Sequence, residues 1–324
     1  MIYLNEKHIR DIGIDWSQLE DAITGCIHAI SDGDFAQPVK PYLRYRDKSN
    51  RIIAMPAFVG SRISMSGIKW IASFPGNLKR GIPRAHSVTI LNESDTGVPV
   101  CTINTALISG LRTAAVTRAV LQRLLSLRKP PGKVKVGVCG LGPIGLLHLE
   151  MLIDLLGENI QSLNVFDLNA DRLRQVADKY PSTPIKPVAR WEDCFADADI
   201  FITCTVSSER YINMEPKPGS VHLNISLRDY EPEFYKYVNH FIVDDWEEVC
   251  RENTDIENMH LKFGLSEEDS SSIIDLFSPS ALKELNGSDV IMFNPMGMAV
   301  FDIAIASHYY SKGLQLGVGV KLED

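Results

Sequence analysis

From residue 134 to residue 293 the chain repeats one pattern: a short, mostly apolar run, then a stretch in which apolar residues return every three or four positions. Runs at 134–139, 163–166, 185–188, 200–205, 221–225, 241–243 and 290–293 read as buried parallel strands. Helical periodicity separates them at 144–156, 170–179 and 191–196. Alternation of this kind predicts an α/β unit with a doubly wound parallel sheet, whose ligand crevice lies beyond the carboxyl ends of the strands. The acidic, polar stretch 250–269 shows no such pattern and is expected to be a connector.

The flanking segments read differently. Residues 2–4 form an expected strand, and residues 16–30 an amphipathic helix with Leu19, Ile23, Cys26, Ile27 and Ile30 on one face. Residues 37–59 suggest short strands broken by Pro38, Pro41 and a polar turn at 46–50. A hairpin is expected from 87–91 through the turn 92–97 into 98–103. A long helix over 105–127 then ends at Lys129, Pro130, Pro131 and Gly132. The last helix, 298–310, is apolar except for one charge, Asp302. The expected organisation is an α+β domain made of residues 1–115 plus 299–324, interrupted by a doubly wound domain at 116–298.

With 324 residues, 45% hydrophobic and 23% charged, the chain can bury the cores of two domains. A net charge of −8 argues against a nucleic acid or an anionic membrane as partner. No uncharged apolar run approaches the ~20 residues of a membrane span. The six cysteines show no disulfide framework and no metal-ligand spacing, so no metal is expected and a reducing cytoplasm fits best.

Chemistry enters at Gly140-Leu-Gly142-Pro143-Ile144-Gly145, directly after the 134–139 strand. A G-x-G-x-x-G turn that opens a helix can present backbone N–H groups to a pyrophosphate, as in the Rossmann fold. Asp167 lies 22 residues beyond Gly145, at the end of the next strand. A carboxylate there accepts ribose hydroxyls and repels a 2′-phosphate, which favours NAD over NADP. In the flanking domain, Lys69 stands between Ile68 and Trp70 in a run that otherwise looks buried. Either its stem snorkels to solvent or its ammonium lies in a pocket, where it binds a carboxylate or moves a proton. Arg112, followed by Thr113 and two alanines, offers a fork suited to a carboxylate or phosphate.

The block through Lys69, Pro75, Asn77, Gly97, Pro99, Arg112-Thr113-Ala114-Ala115, the glycine turn, Gly297, Ala299 and Asp302 resembles the ornithine cyclodeaminase and mu-crystallin family over nearly the whole chain. Strings such as KPYLR, GIKWIASFPGN and PRAHSVTILN are most similar to its dehydrogenases that make 2,3-diaminopropionate for siderophores and peptide antibiotics. The resemblance implies NAD-dependent oxidation of N-(1-amino-1-carboxy-2-ethyl)glutamate, a small anionic amino acid, and hydrolysis of the product. It also implies a homodimer built on the substrate domain. Arg44, Lys69 and Arg112 match positions that hold the substrate carboxylate, with Arg84 a further candidate, and Lys69 matches the proton-transfer lysine. Thr113, Gly140, Gly142, Pro143, Ile144, Asp167, Thr205, Val206, Ser207 and Gly297 match cofactor positions. Cyclodeaminases carry an aspartate after the strand equivalent to 221–225. Here Ser226 falls on that position and Asp229 lies three residues further on. Related possibilities are a cyclodeaminase, another amino-acid dehydrogenase of the family, or a cofactor-binding protein without turnover, like mu-crystallin.

Overall fold

A computed structural model describes residues 1–279, 281 and 285–323. In chain order its elements begin with β1 (Ile2–Asn5), α1 (Glu6–Ile12), α2 (Trp16–Ser31), β2 (Phe35–Ala36), β3 (Tyr42–Leu43), β4 (Arg51–Val59) and β5 (Met65–Ser73). Next come β6 (Ala85–Glu93), β7 (Pro99–Asn104), α3 (Leu107–Leu127), β8 (Val134–Cys139), α4 (Pro143–Leu156), β9 (Ile160–Phe166), α5 (Ala170–Lys179) and β10 (Ile185–Pro187). They are followed by α6 (Glu192–Phe195), β11 (Ile200–Thr203), β12 (Val221–Asn224), β13 (His240–Val243), α7 (Trp246–Val249) and α8 (Asp255–Phe263). The last are β14 (Ser270–Ser272), α9 (Ile273–Phe277), β15 (Ile291–Asn294), α10 (Ala299–Leu316) and β16 (Val320–Lys321).

The chain divides into two compact units, one of residues 1–116 and 297–324 and the other of residues 117–296. Asp324, the last residue of the expected first domain, lies outside the described residues. In unit 1, seven strands run in the order β16-β1-β7-β6-β5-β4-β2, and β3 pairs with β4. The sheet is mixed, because β1 lies parallel to β7 whereas the ladders from β7 to β4 are antiparallel. Helix α10 packs on β4, β5 and β6 and also meets α2. Being covered on several sides, α10 buries Phe301, Ile303, Ile305 and also Asp302. An all-apolar helix belongs in such a place, and a lone acid in it needs a partner.

Unit 2 carries eight parallel strands in the order β10-β9-β8-β11-β12-β15-β13-β14. The chain starts in the middle at β8, winds outward through β9 and β10, then returns to β11 on the other side of β8. That reversal is the switch point at which open α/β sheets leave a crevice. A second core of aromatic residues, including Phe195, Phe201, Tyr230 and Phe234, fills this unit.

The short helices α1, α7 and α9 were not expected from the sequence, and three further departures have a local reason. The connector contains α8, which Thr254 starts by accepting the Glu257 N–H and Gly264 ends in the left-handed region at φ 77°. Strand β14 is three serines, held by its parallel ladder to β13 rather than by apolar side chains. Helix α10 continues past Tyr310 to Leu316, where Gly317 supplies a left-handed cap. Among the described residues no helix is long and apolar enough to cross a membrane.

Two histidines are buried in unit 2. His148 bonds to the Thr117 hydroxyl at 3.0 Å and to the Ile144 carbonyl at 2.8 Å. His222 lies between the Ser220 hydroxyl at 2.9 Å and the Tyr230 hydroxyl at 3.0 Å. Burial pushes them down from 6.5 to about 4 and about 3. Below pH 6.5 the unfolded chain therefore takes up protons that the folded chain refuses, so stability is full above that pH and falls as the pH drops. At about pH 5 each histidine should cost about 2 kcal/mol. Urea midpoints that stay level between about pH 7 and pH 5 would contradict this.

Candidate functional site

In unit 1 the alternation along β5 places Lys69 on the face covered by α10 and Trp70 on the other, with 1% and 44% exposure. Lys69 does not snorkel. Its Nζ lies 2.7 Å from Asp302 Oδ2 in an ion pair that is not aligned as a hydrogen bond, and it donates to Ser109 Oγ at 3.3 Å. From α3, Arg112 Nε donates to the other carboxylate oxygen, Asp302 Oδ1, at 2.9 Å. Two buried cations thus share one buried carboxylate. Lys40, also buried, donates from Nζ to the Gly297 carbonyl at 2.9 Å.

Gly297 is needed for this arrangement. Its φ is 91°, and a Cβ there would stand 2.6 Å from Arg112 Nη1, so only glycine lets the backbone pass the guanidinium. Burial lowers Lys69 to about 8, Arg112 and Lys40 push the same way, and Asp302 opposes them. Burial works against the Asp302 charge, yet Arg112 and Lys69 outweigh it and hold the carboxyl below its ordinary value. Lys69 and Arg112 against Asp302 leave one cation in excess, buried Lys40 adds another, and that excess suits an anionic ligand.

Unit 2 holds a second constellation. Gly140, at φ 92°, begins the turn after β8, and a Cβ on it would press 2.7 Å from the Cys204 carbonyl group. At Gly145 a Cβ would lie 1.8 Å from the Gly140 oxygen, so helix and strand approach as closely as glycine permits. Gly142 is different: a Cβ there meets none of the described residues within 4 Å. It caps α4 without a side-chain hydrogen bond, and Pro143 opens the first turn. The protein's own packing does not require that glycine, whereas close passage of a phosphate would.

Asp167 Oδ2 accepts the Leu141 N–H at 2.7 Å and Oδ1 accepts the Asn169 N–H at 2.8 Å, which ties the carboxylate to the glycine turn. Arg172 Nη1 also lies 3.6 Å from Oδ2, so of the roughly four lone-pair sites of the carboxylate it is Oδ1 that keeps one for a further donor. Beyond β11, Thr205 donates to Asp229 Oδ1 at 2.6 Å, and the Ser226 hydroxyl donates to Asp229 Oδ2. Burial raises the Asp229 carboxyl despite these bonds. The three-residue offset of Asp229 in sequence is therefore closed in space, because its carboxylate meets the Ser226 side chain.

The model of the ornithine cyclodeaminase/mu-crystallin family matches residues 7–315. The chain belongs to this family. It is 32% identical, over 99% of its length and 98% of the relative's, to N-((2S)-2-amino-2-carboxyethyl)-L-glutamate dehydrogenase of Staphylococcus aureus (strain NCTC 8325 / PS 47). The family fold is also seen in the Δ1-pyrroline-2-carboxylate reductase of Thermococcus litoralis, solved with NADH and L-proline. That structure has a TM-score of 0.89 and 20% identity, covering 99% of this chain and 100% of the other. An archaeal alanine dehydrogenase dimer with bound NAD matches at a TM-score of 0.86 and 21% identity, covering 100% and 99%.

Of the family positions named in the sequence, Lys69, Arg112 and Gly297 come together in unit 1. Gly297 packs against the cations of unit 1 and is not part of the glycine turn. Thr113 follows Arg112 on α3 and donates to the Ser109 carbonyl at 2.9 Å. Arg44 is exposed, with its guanidinium 5.1 Å from the centre of the Tyr42 ring, and Arg84 donates to Ser73 Oγ at 3.2 Å. Neither contacts Asp302. Gly140, Gly142, Pro143, Ile144 and Asp167 form the turn of unit 2. Thr205 is bound to Asp229, and Val206 and Ser207 are exposed at the end of β11. The sequence offered Asp302 as an odd charge and a position of the family resemblance, with no role attached. Its apolar helix was the signal that a cation had to meet it.

Replacing Asp302 by Asn keeps the shape and leaves two buried cations without their counter-charge, which should cost about 3–5 kcal/mol. Urea unfolding of Asp302→Asn and wild type reads this directly. Equal midpoints would show that the carboxylate does not hold the cluster.

Proposed function

We propose that this chain oxidises N-(1-amino-1-carboxy-2-ethyl)-L-glutamate with NAD and hydrolyses the product to L-2,3-diaminopropionate and 2-oxoglutarate. The observation that carries this reading is the buried pair Lys69 and Arg112 sharing Asp302, in a chain 32% identical across its length to a dehydrogenase named for that kind of substrate. The chain is an oxidoreductase of its family with NAD as cofactor. Siderophore or peptide-antibiotic synthesis is the setting that such a product suits.

Bound NAD supplies the hydride acceptor. The Gly140–Gly145 turn and the start of α4 hold the pyrophosphate, Asp167 takes the ribose hydroxyls, and Thr113, Thr205, Val206 and Ser207 line the cofactor. Arg112 and Lys69 bind the carboxylate beside the carbon that loses hydride, and Arg44 and Arg84 serve the outer carboxylates. As hydride leaves Cα, the secondary amine loses a proton and a C=N bond forms. Water adds to that carbon and the C–N bond breaks, which gives the ketone of 2-oxoglutarate and the new primary amine. Arg112 keeps the carboxylate charge paired in that step, and Lys69, once it has given up its own proton, accepts the proton of the amine.

Since Lys69 must be neutral to accept, kcat/KM should rise through about pH 8. Lys69→Met should lower kcat on the order of 10²–10⁴-fold and abolish that limb. The assay is absorbance at 340 nm together with 2-oxoglutarate release, and a folded wild type that yields neither excludes the reaction. A second reading, ornithine cyclisation, is favoured by the contact of Asp229 with Ser226. Proline and ammonia formed from ornithine without net NADH would select it.

The working form is a homodimer. Opposite the Lys69 face, the unit 1 sheet presents Ile52, Pro56, Phe58, Ile68, Trp70, Val88 and Ile90, with Trp70 44% and Ile90 36% exposed. Such a contiguous apolar face suits a second copy. Trp70→Asp should convert a dimer of about twice 36.1 kDa to monomer in light scattering, and an unchanged mass would place the interface elsewhere. The six cysteines are unpaired, which suits a reducing cytoplasm.

A further inference from the structure

The sheet face that carries Lys69 also carries two hydroxyls that the fold does not use. Thr89 stands directly across from Lys69 in the β5–β6 ladder, and Ser87, two residues along the same strand, stands across from Ile71. Both are buried, at 1% and 4% exposure, and neither hydroxyl has a hydrogen-bonding partner among the described residues. Directly opposed residues have Cβ atoms about 4.5–5.5 Å apart, and diagonal neighbours about 7–8 Å, so both side chains rise from the sheet beside the Lys69 stem, on the face that its ammonium occupies.

A buried hydroxyl without a partner destabilises a fold, and valine or alanine would avoid the cost. Two of them beside one buried cation therefore point to a ligand. The neighbouring charges decide its kind: Lys69 and Arg112 would repel an ammonium group, and an alkyl chain would leave both hydroxyls unpaired. A carboxylate oxygen accepts from hydroxyl and cation alike.

We propose that Thr89 and Ser87 are specificity-determining residues whose hydroxyls donate to a second carboxylate of the substrate, beyond the one held by Lys69 and Arg112. The pair would select a substrate whose oxidised half is a dicarboxylate over a monocarboxylate amino acid. This inference rests on the proposed function for the identity of the substrate, but its test does not.

The test uses the full chain with saturating NADH and compares wild type, Thr89→Val, Ser87→Ala and the double variant by thermal unfolding. 2-Oxoglutarate serves as the dicarboxylate probe and pyruvate as the monocarboxylate. Without probe, each variant should melt about 2 °C higher than wild type, because an unpaired buried hydroxyl has been removed. The apparent Kd for 2-oxoglutarate should rise about tenfold per hydroxyl while that for pyruvate stays the same. Lower melting temperatures, equal weakening of both probes, or a wild type that 2-oxoglutarate does not stabilise would each overturn the proposal. If wild type turns over the carboxyethyl-glutamate and the variants keep its KM, the specificity role fails and the proposed reaction stands. If 2-oxoglutarate binds as expected but no turnover occurs, the dicarboxylate site stands and the reaction fails.

Discussion

The carboxylate of Asp302, buried on a helix with no other charge in its first turns, is what unit 1 is arranged around. It opposes the fall in the Lys69 pKa and fixes the Arg112 fork from a second direction. An ion pair in such a place gives little net stability, since desolvating the charges offsets their attraction. It gives position instead. With α10 lying on β4, β5 and β6, the cations cannot turn toward solvent, and their unshared charge stays available to an anion. Gly297 belongs to the same constraint, because any side chain there would displace the guanidinium.

Unit 2 solves a different problem with backbone. Gly140 and Gly145 are explained by the protein's own contacts, with Cys204 and with each other. A Cβ at Gly142 would meet none of the described residues, which accords with the proposal that the turn receives a phosphate. Asp167 joins the two halves of this cradle, since the carboxylate expected to face a ribose also clamps the Leu141 N–H of the turn.

The parallel sheet was legible because strands buried on both faces leave apolar runs, and the glycine turn because a tight strand-to-helix corner leaves few alternatives. Strand β14 was not, as three serines hold their place through the backbone ladder and hydroxyl hydrogen bonds rather than apolar packing. The site was legible where a residue type contradicts its surroundings. Lys69 among isoleucines and tryptophan is such a case, and Asp302 among alanines and isoleucines is its counterpart 233 positions later. What no pattern could give was their meeting, since pairing across that separation depends on how α10 lies on the sheet. Thr89 and Ser87 were invisible for a related reason: β-branched and small residues are ordinary in strands, and only burial without a partner marks them.

A crystal structure of the chain with NADH and 2-oxoglutarate is the most direct test of the idea that the Asp302 cluster receives the substrate. One carboxylate of 2-oxoglutarate should lie about 3 Å from both Arg112 and Lys69, with the Asp302 contacts retained. Ordered 2-oxoglutarate bound elsewhere, with Lys69 and Arg112 still engaged by Asp302 alone, would contradict it.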